Sequence, residues 1–248
     1  KALIVNAGNA NAHTGNEGIQ IINQYVKVLA RKINCKKEEI IVCSTGVIGE
    51  IFNSTKISKN FKLIDNNKKG DLIKAALSIM TTDTFPKTSL QTVNINNEKF
   101  NIFGFAKGSG MIHPNMGTML CYIFIESKLS DKVLNKLLKD NLDTTFNSIT
   151  VDSDTSTSDT LVLFSLNSKN NFNFENKKNY KTLSNKLHML MEDLSIQIIK
   201  DGEGLSKLIK VNIIKAKTKS QAKNIAFSIA NSPLVKTAVA GEDANWGR

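Results

Sequence analysis

Residues 119–126, MLCYIFIE, are the most continuous apolar strand candidate in the chain, and a strand without polar alternation is stable only where both faces are covered. The loop before it, KGSGMIHPNMG, is rich in glycine and closes on Gly117, so a compliant segment leads directly into a buried strand opening with Thr118. Two strands are predicted near residues 89–95 and 99–105, joined by a turn at Asn96 and Asn97 that fits a hairpin. Residues 40–43 and 161–166 read as further strands, and residues 1–5 as a strand emptying into a tight Gly/Asn/Ala loop over residues 6–15.

Helices are interspersed with these strands. Ile22, Tyr25, Val26 and Leu29 recur at helical spacing and predict an amphipathic helix over 17–32. Residues 71–80 predict a second, running into the Thr-rich turn 81–84 before Pro86 stops it, and Ser130 suits an N-cap for a third through Leu138. Residues 183–200, ending near Gly202, and 219–230 read as helices, with a strand over 206–215 between them. This order, without internal repeats or a low-complexity linker, predicts an α+β fold of mixed sheets packed with helices in preference to a doubly wound one.

At 248 residues and 41% hydrophobic content the chain can bury one sizeable core or two small ones. Its net charge of +11 comes from lysines scattered along the sequence, among them Lys27, Lys56, Lys136 and Lys215, and not from a basic stripe interleaved with aromatics. That pattern describes a solvated surface and predicts no nucleic-acid partner. No run is long and apolar enough for a membrane helix, and no basic-then-apolar leader opens the chain, so no membrane partner is predicted. Cys35, Cys43 and Cys121 lack CxxC spacing and suit a reducing compartment, which reads as cytoplasmic. The first residues resemble a strand already under way and the last, GEDANWGR, carry no stop signal, so a fragment at both ends is expected.

A threonine hydroxyl is a weak nucleophile unless a base takes its proton, and the α-amino group of the same residue can serve when that residue heads a chain. A Gly-Thr junction at the end of a Gly-rich loop is a place where the hydroxyl could attack its own preceding peptide bond and free that amine. By residue chemistry alone Gly117–Thr118 reads as a turn before a strand. STGVIG, after the strand at 40–43, reads as a capping turn, Lys107 as a surface lysine, and Glu203 as an acid unfavourably sited beside a helix C-terminus. Asp152, Asp154 and Asp159 lack the glycine and bidentate acid of a calcium loop and predict a structural turn. His13, His113 and His188 have no ligand partners at metal spacing, so no metal is predicted, and His113 reads as a solvent-exposed loop residue.

Seven segments, NAGNANAHTG, STGVIG, TTDTFPK, KGSGMIHPNMGTML, TVDSDTSTSDT, DGEG and AGEDANWGR, occur in this order. Together they resemble the glutamate N-acetyltransferase/ornithine acetyltransferase family of arginine biosynthesis from the first residue to the last. The resemblance implies autocleavage between Gly117 and Thr118, although the family usually has alanine where Gly117 stands. Residues 1–117 would then be most of an α fragment and 118–248 most of a β fragment, joined as α2β2. It further implies that Thr118 carries acetyl from N2-acetylornithine to glutamate, with Thr45 and Gly46 as oxyanion donors. Thr84 (or Thr82), Lys107, Thr118 and Glu203 would bind substrate. No cofactor is implied; acetyl-CoA enters only as an alternative donor. The rival readings are a self-processing amidohydrolase or aminopeptidase, in which water is the acceptor, and, from the charge alone, a nucleic-acid-binding module.

Overall fold

The structure is a computed structural model that describes residues 1–64, 70–113, 119–168, 170 and 172–246. It divides into two compact units, Lys1–Thr81 and Thr82–Arg248.

The first unit is built on two parallel strands, β1 (Ala2–Asn9) and β2 (Ile40–Val47), in register from Ala2 opposite Ile40 to Asn9 opposite Val47. Parallel neighbours need a crossover, and α1 (Gly15–Lys32) supplies it. The predicted stripe explains its seating: Tyr25, Val26, Leu29 and Ala30 are buried in one cluster with Ile4, Ile40 and Phe61. Both strands run further than expected, through segments read as loops, because each backbone supplies the other's hydrogen bonds to the end of the ladder. Two short helices follow, α2 (Ser54–Asn60) and α3 (Leu72–Ser78), capped by the side chains of Asn53 and Asp71. α2 carries no apolar stripe that could have announced it.

In the second unit a four-stranded sheet has the order β3-β4-β5-β6: Lys87–Ile95, Glu98–Lys107, Leu120–Ile125 and Thr160–Ser165. The first two pairings are antiparallel and the third parallel. Asn96 and Asn97 turn the β3–β4 hairpin with φ of 51° and 66°, the left-handed pair that matches strand twist and that asparagine tolerates. Helix α4 (Asp131–Leu142), capped by Ser130 as predicted, lies in the connection from β5 to β6. The 24-residue α5 (Lys177–Lys200) packs on β3 and β4 and against α4. Its Leu183, Leu187, Leu190, Met191, Leu194 and Ile198 join Ile102, Cys121, Ile123 and Ile125 in the main core.

β5 is covered on both faces, as its composition requires. Cys121, Ile123 and Ile125 enter the core under the helices. On the opposite face Phe124 stacks between Phe103 and Phe164, with ring centroids 5.3 and 4.9 Å away. The expected strand over 206–215 is not one: these residues form no ladder with any described strand. Apolar spacing supplies side chains for a sheet, but a strand also needs an adjacent backbone with N–H and C=O groups to pair. The helix at 219–230 is present as α6 (Lys219–Ala230), and an unforeseen α7 (Pro233–Ala240) follows with Ser232 as cap and Pro233 in its first turn.

Adjacent positions on α5 test this packing. Leu190, fully buried, should cost about 2–5 kcal/mol when replaced by alanine, whereas Met189, 48% exposed, should cost within about 0.5 kcal/mol, read by urea unfolding.

Candidate active site

At the start of β3 the ammonium of Lys87 is fully buried between two carboxylates, 2.6 Å from Asp83 Oδ1 and 2.5 Å from Asp201 Oδ2. Three element ends meet there: Lys87 opens β3, Gly108 follows β4, and Asp201 caps the end of α5. The Gly108 N–H donates to Asp83 Oδ1 at 2.7 Å, and the Thr84 N–H to Asp201 Oδ2 at 2.9 Å while the Thr84 hydroxyl donates to Asp201 Oδ1. Lys107 Nζ stands 4.0 Å from Asp83 Oδ2, and the Ser109 hydroxyl donates to the Asp201 carbonyl at 2.6 Å. Two aspartates and two lysines thus close a buried charge set with no net excess. Burial weakens the Lys107 ammonium, with Lys87 adding to that effect and Asp83 opposing it, so its pKa falls below the usual lysine range. Burial pushes Asp201 upward, but the hydrogen bonds from Lys87 and Thr84 together outweigh it and hold the carboxyl below the ordinary aspartate value.

The turn after Lys107 carries a second acid. A Cβ on Gly110 would lie 2.8 Å from a Glu203 carboxylate oxygen, so this glycine leaves room for an exposed Glu203 to lie against the turn. The Lys107 cation and the Glu203 anion therefore flank one Gly-Ser-Gly turn. An α-amino acid carries the complementary pair of charges. Farther along, the side chain of Asp152 accepts the N–H groups of Met111 and Ile112, and that of Asp159 accepts the Met119 N–H at 2.9 Å. Burial pushes the Asp159 carboxyl up to about 7 against that hydrogen bond. His113 is not the solvated loop residue expected; it is half-buried, edge-on to Phe227 and 3.3 Å from the Asn231 amide. Gly117 and Thr118 lie outside the described residues.

In the first unit Thr45 and Gly46 sit near the end of β2, opposite Ala7 and Gly8. Thr45 is buried, and Gly46 is exposed with φ of +122°. A Cβ on Gly46 would collide with the Gly8 carbonyl, so only glycine permits this crossing. Ser44 Oγ accepts the Asn11 N–H at 2.8 Å, and the Ala10 and Gly49 N–H groups donate to the carbonyls of Val47 and Ala12. The segments NAGNANAHTG and STGVIG are thereby zipped into one structure.

Within the second unit Thr84, Lys107 and Glu203 are gathered around Asp201 and the Gly-Ser-Gly turn, while Thr82 is exposed at the unit's first position. Asp83, Lys87, Asp201 and Ser109 were missed as partners of these residues. All four lie in segments read for another residue: TTDTFPK for its threonines, KGSGMIHPNMGTML for Lys107 and Thr118, and DGEG for its glutamate. Among the described residues no group of three His, Cys, Asp or Glu side chains could hold a metal ion, and no helix is long and apolar enough to cross a membrane.

These features define an α+β protein with a candidate active site at strand and helix ends. The model of the ArgJ family matches residues 1–248, and the chain belongs to that family. It is 44% identical over its whole length to the arginine biosynthesis bifunctional protein ArgJ of Bradyrhizobium diazoefficiens, and 45% identical to that of Bartonella henselae. It spans about three fifths of those relatives' length, 62% and 61%. A crystal structure of the ArgJ protein from Bacillus halodurans is 32% identical and superposes over 48% of this chain and 61% of its own with a TM-score of 0.41.

Removing the Lys87 ammonium leaves two buried carboxylates with Lys107 as their one lysine neighbour in the cluster, so Lys87→Met should lower stability by about 3–5 kcal/mol in denaturant unfolding. Because Asp201 is held below its unfolded pKa, its contribution is complete above about pH 4 and is lost as pH falls through the depressed value. Asp201→Asn should therefore unfold with a flatter stability profile over that acidic window than wild type.

Proposed function

We propose that this protein transfers acetyl from N2-acetylornithine to glutamate through an ester on Thr118, giving ornithine and N-acetylglutamate. The observation that carries the reading is the match to the ArgJ family over every residue of the chain, including the Gly117–Thr118 junction. The relatives' name, arginine biosynthesis bifunctional protein, agrees with it. Opposite charges at Lys107 and Glu203 beside one turn suit substrates that are themselves amino acids.

Maturation would begin with attack of the Thr118 hydroxyl on the Gly117 carbonyl carbon. The C–N bond breaks, the acyl group passes to oxygen, and water then hydrolyses the ester, leaving Thr118 with a free α-amine. In the first half-reaction that amine takes the hydroxyl proton as Oγ attacks the acetyl carbon, and returns it to the departing nitrogen of ornithine. In the second, the amine of glutamate attacks the acetyl ester and Thr118 Oγ leaves with the proton. Both tetrahedral intermediates would place their oxyanion toward the Thr45 hydroxyl and the Gly46 N–H. Lys107 would hold the substrate carboxylate, Glu203 its ammonium, and Thr84 would contribute its oxygen. No cofactor takes part, and acetyl-CoA would serve only as an additional donor. The same reading assigns the protein to the cytoplasm as an α2β2 assembly of its two fragments.

Intact mass of the full-length protein beside Thr118→Ala tests the nucleophile and the junction together. Wild type should appear as two fragments split between Gly117 and Thr118, and the variant as one chain. With N2-acetylornithine alone, acetyl should accumulate on the Thr118 fragment and pass to glutamate when it is added; release of acetate at a rate indifferent to glutamate would mean a hydrolase. Thr45→Ala should slow transfer by about 10²–10³-fold, the usual effect of removing one oxyanion donor.

A further inference from the structure

The segment TVDSDTSTSDT is absorbed by none of the roles above, yet its first and last strands of hydrogen bonding fall on the two sides of residues 114–118. On the near side, Asp152 Oδ1 accepts the Ile112 N–H at 2.9 Å and Oδ2 accepts the Met111 N–H, across 40 and 41 positions of sequence. The neighbouring Val151 N–H donates to the Ile112 carbonyl at 2.6 Å. On the far side, Asp159 Oδ1 accepts the Met119 N–H at 2.9 Å, again across 40 positions, and the Thr160 N–H donates to the Met119 carbonyl at 2.9 Å. Each anchor thus pairs a carboxylate with a backbone bond, and each is plugged by a buried side chain, Ile112 or Met119.

The two carboxylates are used differently. Asp152 spends both oxygens, and its Oδ1 also accepts the Asp154 N–H at 3.1 Å. Met111 itself has φ of 58°, an uncommon conformation for a residue with a side chain, which a charged acceptor on its N–H helps to fix. Asp159 uses one oxygen; Oδ2 is buried with no hydrogen-bond partner among the described residues. A bond between a carboxylate and backbone N–H groups forty residues away does more than close its own turn. It ties two stretches of chain together.

We propose that Asp152 and Asp159 are positioning residues that hold the backbone on both sides of the Gly117–Thr118 junction, through Met111 and Ile112 before it and Met119 after it. The proposal rests on the reading of Thr118 as the self-cleaving nucleophile. Neither carboxylate is assigned contact with substrate. Attack of a hydroxyl on an adjacent carbonyl, and later on a bound acetyl group, depends on placement to a fraction of an ångström, so loosening either anchor should slow both steps.

Because Asp159 acts through one acceptor oxygen, Asp159→Asn should preserve its function and Asp159→Ala should not. Asp152 needs both oxygens, so Asp152→Asn, which turns a donor toward the Met111 N–H, should fail along with Asp152→Ala. The test follows maturation by intact mass, steady-state transfer, and amide hydrogen exchange in the full-length protein. In Asp159→Ala we expect exchange at the Met119 amide to rise at least tenfold, and maturation and kcat to fall by about 10²-fold with KM changed less than about twofold. Asp159→Asn should stay within about threefold of wild type in each, given that its Oδ1 still accepts the Met119 N–H. A wild type that is neither cut nor acetylated at Thr118 overturns the functional reading and this role with it. A wild type that is cut and active, beside alanine variants that mature and turn over equally fast, overturns the positioning role alone. So does an Asp159→Asn variant as slow as Asp159→Ala, since the carboxylate would then act by its charge or proton and not by holding Met119.

Discussion

A buried ammonium between two buried carboxylates joins the parts of the second unit that carry its site. Isolated in the interior, any one of these charges would cost several kcal/mol of lost hydration. Lys87, Asp83 and Asp201 offset that cost because the geometry is close on both sides of the ammonium, 2.6 and 2.5 Å, and because further donors reach the same carboxylates, the Gly108 N–H on Asp83 and the Thr84 N–H and hydroxyl on Asp201. The ends of β3, β4 and α5 are thereby fixed at one point. Hydrophobic packing of α5 on the sheet determines that the helix lies there; the ion cluster determines where it stops.

From that point the candidate site residues extend outward by one or two bonds. Thr84 is held by Asp201, the Ser109 hydroxyl by the Asp201 carbonyl, and Lys107 faces the second oxygen of Asp83. Glu203, two residues beyond Asp201, reaches back to the same turn because Gly110 presents no Cβ. Loop residues acquire defined positions in this way without a regular element of their own, since each is bonded to the terminus of a rigid one. The first unit solves the same problem largely with backbone: two glycines pass each other where β1 and β2 end, and the following loops close on one another through main-chain bonds and the Ser44 hydroxyl.

Charge placement separates structural from chemical roles among similar residues. Lys87 and Lys107 are both buried lysines in one cluster, but Lys87 is bonded at close range to two carboxylates, whereas Lys107 stands 4.0 Å from one and has its ammonium weakened by burial. The aspartates of TVDSDTSTSDT divide similarly. Asp152 spends both oxygens on backbone N–H groups, and Asp159 keeps one out of any bond within the described residues. Residue type alone does not distinguish these cases.

Local pattern determined most elements: the helical stripe of α1, the Asn-Asn hairpin, the Ser130 cap, the long periodic α5, and β5, whose unbroken apolar run demanded cover on both faces. It also determined the family, since seven ordered segments resist chance even where no single one is decisive. Partners brought together from distant sequence were decided by the tertiary structure. Residues 206–215 have a strand's side chains but no described neighbour to pair with, while β1 and β2 continue through loop-like residues because each offers the other a ladder. Lys87 looks like any surface lysine until Asp201, 114 positions away, closes over it. Periodicity is written in the order of residues, whereas burial and charge pairing depend on what folds against them, and that is set only when the whole chain has packed.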